Sequence, residues 1–155
     1  MSETILNTGS EAIIALLAAN FMAQYYKYVR YRLRTGRWNL SILFTTGGMP
    51  SSHSATVMAL STSVGLVAGW SSPIFAVAAC FTFITMYDAA GLRRAAGLQA
   101  QALNEIIREL LAPDHRLNHA KLKELLGHTP REVLGGAVMG VVVSLALRGL
   151  LLATA

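Results

Sequence analysis

The chain has a single cysteine, Cys80, in 155 residues. A lone cysteine excludes an intrachain disulfide, and its place in an apolar run predicts a buried thiol. Charge is scarce too: charged residues make up 14% of the chain and hydrophobic ones 54%. With a mean hydropathy of +0.47, that balance points to a membrane. Met1–Glu11 is polar and slightly acidic, without the basic start of a secretory signal, so no removable signal is predicted. Proline occurs only four times, at Pro50, Pro73, Pro113 and Pro130, always at a break between segments.

What is present is apolar and helical in pattern. Apolar runs cover Ala12–Tyr26, Ala55–Trp70, Ile74–Tyr87 and Val133–Leu152. A spanning helix needs roughly 20 mostly apolar residues. The last run meets that length, and the others meet it with their flanks. Helices apolar all round are buried or membrane-embedded. The expected fold is therefore all-α: an integral membrane bundle of about four hydrophobic helices in a single domain. A soluble bundle with unusually apolar helices is the alternative.

Between the third and fourth runs the pattern changes. Leu103, Ile106, Ile107, Leu110 and Leu111 recur at helical spacing, opposite Asn104, Glu105, Arg108 and Glu109. This predicts an amphipathic segment over Leu98–Leu126, lying on the membrane or on the bundle. Pro113-Asp114 should break it, a second short helix should follow from about Asn118, and Gly127 suits its end. His115 and His119 lie four apart in this segment. They read as a solvated loop rather than as a metal pair, since two histidines without further ligands make no site.

The net charge of +5 is unevenly spread. Lys27, Arg30, Arg32, Arg34 and Arg37 follow the first run. Arg93, Arg94, Arg108, Arg116, Lys121, Lys123 and Arg131 fall between the third and fourth, and only Arg148 lies elsewhere. With four spans, both basic segments share one side of the bilayer. Both termini and the Ser71-Ser72-Pro73 turn take the other side. The positive-inside rule makes the basic side cytoplasmic. Arg30, Arg32, Arg37, Arg108, Arg116, Lys121 and Lys123 read as a collar for lipid headgroups. Trp38, Tyr25, Tyr26, Tyr28 and Tyr31 read as an interfacial aromatic belt, not as a stacking platform, so nucleic acid is not an expected partner.

Two short segments carry chemistry. In Gly47-Gly48-Met49-Pro50-Ser51-Ser52-His53-Ser54, glycines and proline bend the chain just before an apolar run. A helix starting there presents free N–H groups, a natural seat for a phosphate, and His53 offers a proton near neutral pH. A plain cap with an incidental histidine is the bland alternative. In His128-Thr129-Pro130-Arg131-Glu132, Thr129 suits the N-cap, Pro130 the first helical position, and Glu132 closes a capping box. His128 then sits at the mouth of a second helix, and Glu132 has a structural role open to it beside any catalytic one. Gly136 and Gly140 form a GxxxG pair that suits close helix packing.

Taken together, these residues resemble the type 2 phosphatidic acid phosphatase superfamily, which also includes vanadium haloperoxidases. The likeness is nearest to its divergent, small membrane branch. Lys27 and Arg34 have the Lys-x6-Arg spacing of the first motif, with Thr35 where the family has Pro. Pro50-Ser51-Ser52-His53 matches the second, with Ser52 for Gly. His128-x3-Glu132 matches the end of the third, with Glu for Asp. The third-motif Arg is absent from its usual place, where Leu122 stands, and Asp88-x4-Arg93-Arg94 resembles the divergent branch's substitute.

The resemblance implies a mechanism. His128 would attack phosphorus, and Glu132 would orient its ring. His53 would protonate the leaving oxygen and then activate water. Lys27, Arg34 and one of Arg93 or Arg94 would bind the phosphoryl oxygens, helped by Ser51 and Ser52. No metal or other cofactor is implied, because side-chain cations supply the charge that Mg²⁺ supplies elsewhere. The implied substrate is a lipid or isoprenoid phosphate whose tail stays among membrane lipids. The family's core uses six helices, so a reduced bundle or a homodimer is open here. The runner-up is a non-catalytic membrane subunit that keeps the pocket to bind an anionic headgroup or a partner. Halide oxidation is not expected of so small an intramembrane chain.

Overall fold

A computed structural model describes residues 5–44, 47–110 and 128–155. The expectations for Pro113-Asp114, His115, His119, the second short helix and Gly127 lie outside the described residues. Helix α1 spans Gly9–Thr35 and is followed by a 3-10 turn at Leu40–Phe44. Helices α2 (Ser52–Ala68), α3 (Pro73–Ala90), α4 (Leu92–Leu110) and α5 (Pro130–Ala153) complete the fold. No strand occurs among the described residues. The four apolar runs are the bodies of α1, α2, α3 and α5.

The helix ends follow local chemistry. Ser51 caps α2, its Oγ accepting from the Ser54 N–H, and Ser72 caps α3 in the same way from Phe75, with Pro73 in the first turn. Thr129 and Glu132 form the full capping box of α5, with Pro130 behind the cap. Helix α1 ends at Gly36, whose φ of 71° is left-handed and whose N–H donates to Arg32 O. Thr35, where the resembled family carries proline, helps stop the helix. Its hydroxyl donates to Tyr31 O and accepts from the Arg37 N–H.

Helix α2 is the centre of the bundle, packed against α1, α3 and α5. Its contacts are made by small residues. Ala19 and Ala23 of α1 meet Ala55 and Ala59 of α2, with Met139 and Val143 of α5 laid against them. Small side chains let backbones approach closely, which is how helices associate where lipid is as apolar as leucine. Hydrogen bonds pin the contact: Ser144 Oγ donates to Ala59 O at 2.9 Å and Thr82 Oγ1 to Val57 O at 2.9 Å.

Large apolar side chains point away from the protein. Ile74, Val77, Phe81, Phe83 and Ile84 of α3 are all more than half exposed, as are Leu134, Val138 and Val142 of α5. This is a bundle turned outward to lipid. It also corrects the expectation for Cys80, which is exposed on α3. An apolar run marks burial in a membrane equally well whether a residue faces lipid or protein. Among the described residues, two stretches are long and apolar enough to cross a bilayer, Pro73–Arg108 and Pro130–Ala153. Helix α2, at 17 residues, is slightly short of the roughly 20 needed, and α1 carries charge. The apolar face of α4 is uncovered by the described chain: Leu103, Ile106 and Leu110 are exposed.

The end of the bundle formed by the start of α1 and the end of α5 carries an ion pair the sequence did not disclose. Arg148 Nη1 lies 2.9 Å from Oε1 of Glu11, which is 1% exposed, and Arg148 Nη2 donates to Asn7 Oδ1. At the opposite end lie the C-terminal turns of α1 and α3 and the N-termini of α2 and α5.

Candidate functional site

Two backbone hydrogen bonds tie that opposite end together. The Ser51 N–H donates to Glu132 O at 3.0 Å, and the His128 N–H donates to Ala89 O at 3.1 Å. The first fixes the start of α2 against the first turn of α5. The second fixes the residue before α5 against the last turn of α3. His53 and His128 therefore stand at one end of the bundle, each beside a helix start.

Between α1 and the start of α5 lies a cavity of about 510 Å³. Lys27, Arg30, Tyr31 and Arg34 of α1 line one wall, at i, i+3, i+4 and i+7, a single helical face. Thr129, Arg131 and Glu132 line the facing wall, and Gly47, Gly48 and Met49 close a third side. Gly47 and Gly48 have φ of 95° and 77°, so this loop takes a path that side chains resist. Lys27 is 7% exposed, and its Nζ has no hydrogen-bond partner. Burying an ammonium without a hydrogen bond is unfavourable, and the Glu132 carboxylate on the cavity wall is the charge that favours it. Among the described residues, no ion pair engages Lys27, Arg30, Arg34 or Arg131.

Glu132 joins the cavity to His128. Its Oε2 lies 3.3 Å from His128 Nδ1 and accepts the Thr129 N–H at 2.9 Å. One carboxylate oxygen thus serves both roles open to it: it closes the capping box and it holds the imidazole. His128 itself is 5% exposed and does not line the cavity.

The other sequence candidates fall in three groups. Lys27, Arg34 and Glu132 share the cavity. His53 is half-buried in the first turn of α2, off the cavity wall. Ser51 and Ser52 are buried, at 0% and 4% exposure, and are also off the wall. The Ser51 hydroxyl serves the cap and accepts from Ser54 Oγ at 3.0 Å. Arg93 and Arg94 belong to the first turn of α4, and their side chains lie outside the described residues.

Sequence reasoning missed Arg30 and Arg131 as parts of this cavity. Arg30 was read as collar, yet its spacing of three from Lys27 and four from Arg34 is the signal that places it on their face. Tyr31, read as part of an aromatic belt, lies on the same wall. Arg32 points elsewhere and stacks on Trp38, 4.6 Å from the ring centroid.

No solved structure matches the chain. It is similar to an uncharacterized membrane protein of Bacillus subtilis (strain 168), YuiD, with 41% identity over 145 residues, covering 87% of this chain and 92% of that one. The profile of the Divergent PAP2 family matches residues 8–143, a span that takes in α1 through most of α5 and the whole cavity wall. This all-α membrane protein belongs to the Divergent PAP2 family.

Proposed function

We propose that the protein is a metal-independent phosphatase that acts on a lipid or isoprenoid phosphate through a phosphohistidine intermediate. The observation that carries this reading is the meeting of Lys27 and Arg34 with Glu132, the partner of His128, around one cavity. The two cations would hold the phosphoryl oxygens and offset charge that builds in the transition state. His128 Nε2 would attack phosphorus, forming the N–P bond as the P–O bond to the lipid alcohol breaks. His53 would give its proton to the leaving oxygen. In the second half, His53 would take a proton from water as that water attacks phosphorus. Inorganic phosphate leaves and His128 is restored. The tail of the substrate would remain among lipids along the outward apolar faces of α3 and α5. The basic, site-bearing end would face the cytoplasm.

A second reading has one observation in its favour. His128 is nearly closed off, and neither histidine lines the cavity. A pocket with more cations than carboxylates and no exposed nucleophile suits a subunit that binds an anionic headgroup without turning it over. The phosphatase reading requires His128 to open onto the cavity when substrate enters.

Release of inorganic phosphate separates the two. Purified protein in detergent should liberate phosphate from phosphatidate or an isoprenoid phosphate equally well with and without a chelator. No release from any lipid phosphate, with phosphate binding intact, would favour the binding subunit. Loss of release on chelation would overturn the metal-independent mechanism.

Glu132→Gln isolates the charge of the carboxylate. Both of its contacts go to one oxygen, and a Gln carbonyl can occupy that position and still accept the Thr129 N–H. The negative charge beside the ring is lost. Turnover should fall by about tenfold or more, at about 1.4 kcal/mol per tenfold, while the melting temperature changes little. A lower melting temperature with unchanged specific activity would assign Glu132 to the cap alone.

A further inference from the structure

We infer that the cavity holds two adjacent phosphoryl groups, and that Arg30 and Arg131 form the second anion subsite, which selects a lipid diphosphate over a monophosphate. The inference rests on the phosphatase reading for its substrate class, and on the cavity alone for its charge. Among the described residues, four cations and one carboxylate line the walls. Glu132 is already engaged by His128 and Thr129. A phosphomonoester brings about 1.5 to 2 negative charges at neutral pH, which Lys27 and Arg34 together can match. A terminal diphosphate brings at least one more, which requires further cations.

The positions of three of these cations favour an anion among them. Lys27, Arg30 and Arg34 stand on one face of α1, where like charges one turn apart repel. Arg131 is in the first turn of α5, at the positive end of the helix dipole, where a cation is disfavoured. None of the four is in an ion pair among the described residues. The Lys27 ammonium is buried without a hydrogen-bond partner. Arg34, in the last turn of α1, is favoured by that helix's dipole, but the clustering on one face, the place of Arg131 and the burial of Lys27 together make an anion site with more cations than one phosphoryl group needs.

Lys27 and Arg34, nearest in role to the resembled motif, would take the phosphoryl group that is transferred. Arg30 lies between them on the α1 face, and Arg131 reaches from the opposite wall. These two would hold the second group. That group remains on the lipid as a monophosphate when the terminal P–O bond is cleaved, so the leaving oxygen is a phosphate oxygen. A phosphate oxygen leaves more readily than an alkoxide, which eases the demand on His53.

Binding tests the subsite apart from turnover. Methylenediphosphonate and inorganic phosphate are titrated calorimetrically into the purified full chain in detergent. The diphosphonate should bind at least about tenfold tighter. Arg30→Gln/Arg131→Gln should cut that ratio to about threefold or less, whereas Lys27→Met should weaken both ligands. Arg131 is exposed and works against the helix dipole, so its loss should leave the melting temperature level or slightly raised. A wild-type ratio near one, or equal weakening of both ligands in the double variant, would overturn the subsite. Tighter binding of a farnesyl-length diphosphate in micelles than of inorganic diphosphate assigns the ligand as a lipid headgroup. Equal binding overturns that lipid assignment. If no lipid phosphate is turned over yet the selectivity holds, the phosphatase reading fails and the subsite stands. If turnover is seen without selectivity, the reverse is true.

Discussion

His128→Ala is expected to abolish phosphate release from a lipid phosphate, by at least about a thousandfold, or roughly 4 kcal/mol of transition-state stabilisation. The nucleophile is removed, and no other group replaces the covalent route. Binding of phosphate or vanadate should survive in part, because Lys27, Arg30, Arg34 and Arg131 remain in the cavity wall. The fold should survive too. The bond from residue 128 to Ala89 O is made by its backbone N–H, which alanine keeps, and Glu132 still accepts from Thr129. A direct readout accompanies turnover: wild-type protein quenched in alkali should carry an acid-labile phosphoryl label that the variant lacks. Near wild-type turnover in the variant would remove the assigned mechanism.

Much of the fold was legible in the sequence because each level of signal agreed with the next. The apolar runs of α1, α2, α3 and α5 were bounded by Ser51, Ser72 and Thr129, residues whose hydroxyls accept from the first helical turn. Gly136 and Gly140 announced a close helix contact. Lys27 and Arg34 came from resemblance, and the geometry of α1 explains their spacing: seven residues bring both onto one wall. The rest was hidden for identifiable reasons. The Glu11–Arg148 pair joins residues 137 apart, and no local pattern reports a long-range contact. Cys80 was misread because apolar runs in lipid do not say which side faces the protein. Ser51 and Ser52 came from the resemblance as part of a phosphate cradle; both are buried off the cavity wall, Ser51 against Gly136 of α5. Arg30 and Arg131 have the chemistry of any surface arginine, and only the facing of α1 and α5 gives them a common cavity.

Gly136→Ala and Gly140→Ala are expected to be the most damaging of the α5 glycine-to-alanine changes. A Cβ at Gly136 would stand 2.2 Å from Ser51 O, and one at Gly140 2.4 Å from Ala55 O. Both obstacles are backbone of α2, which has no rotamer to swing aside, so the helices must separate. Overpacking of this kind costs about 1–3 kcal/mol or more, which lowers a melting temperature by several degrees in a chain of this size. The same helix supplies internal controls. A Cβ at Gly135 meets Met49 Cε at 3.1 Å, the far end of a flexible side chain, and one at Gly149 meets nothing within 4 Å. Gly135→Ala should be mild, and Gly149→Ala neutral or stabilising, since alanine is favoured over glycine inside a helix by about 1 kcal/mol. Gly136 should differ from Gly140 in one respect. It contacts Ser51, whose N–H is bonded to Glu132 O, so displacement there moves the first turn of α5 and the carboxylate that holds His128. Gly136→Ala should therefore lose turnover beyond what its melting temperature explains, while Gly140→Ala should lose both in step. Thermal melts of all four variants in one detergent decide the matter. If Gly140→Ala melts no lower than Gly149→Ala, the α2–α5 contact is not the one described.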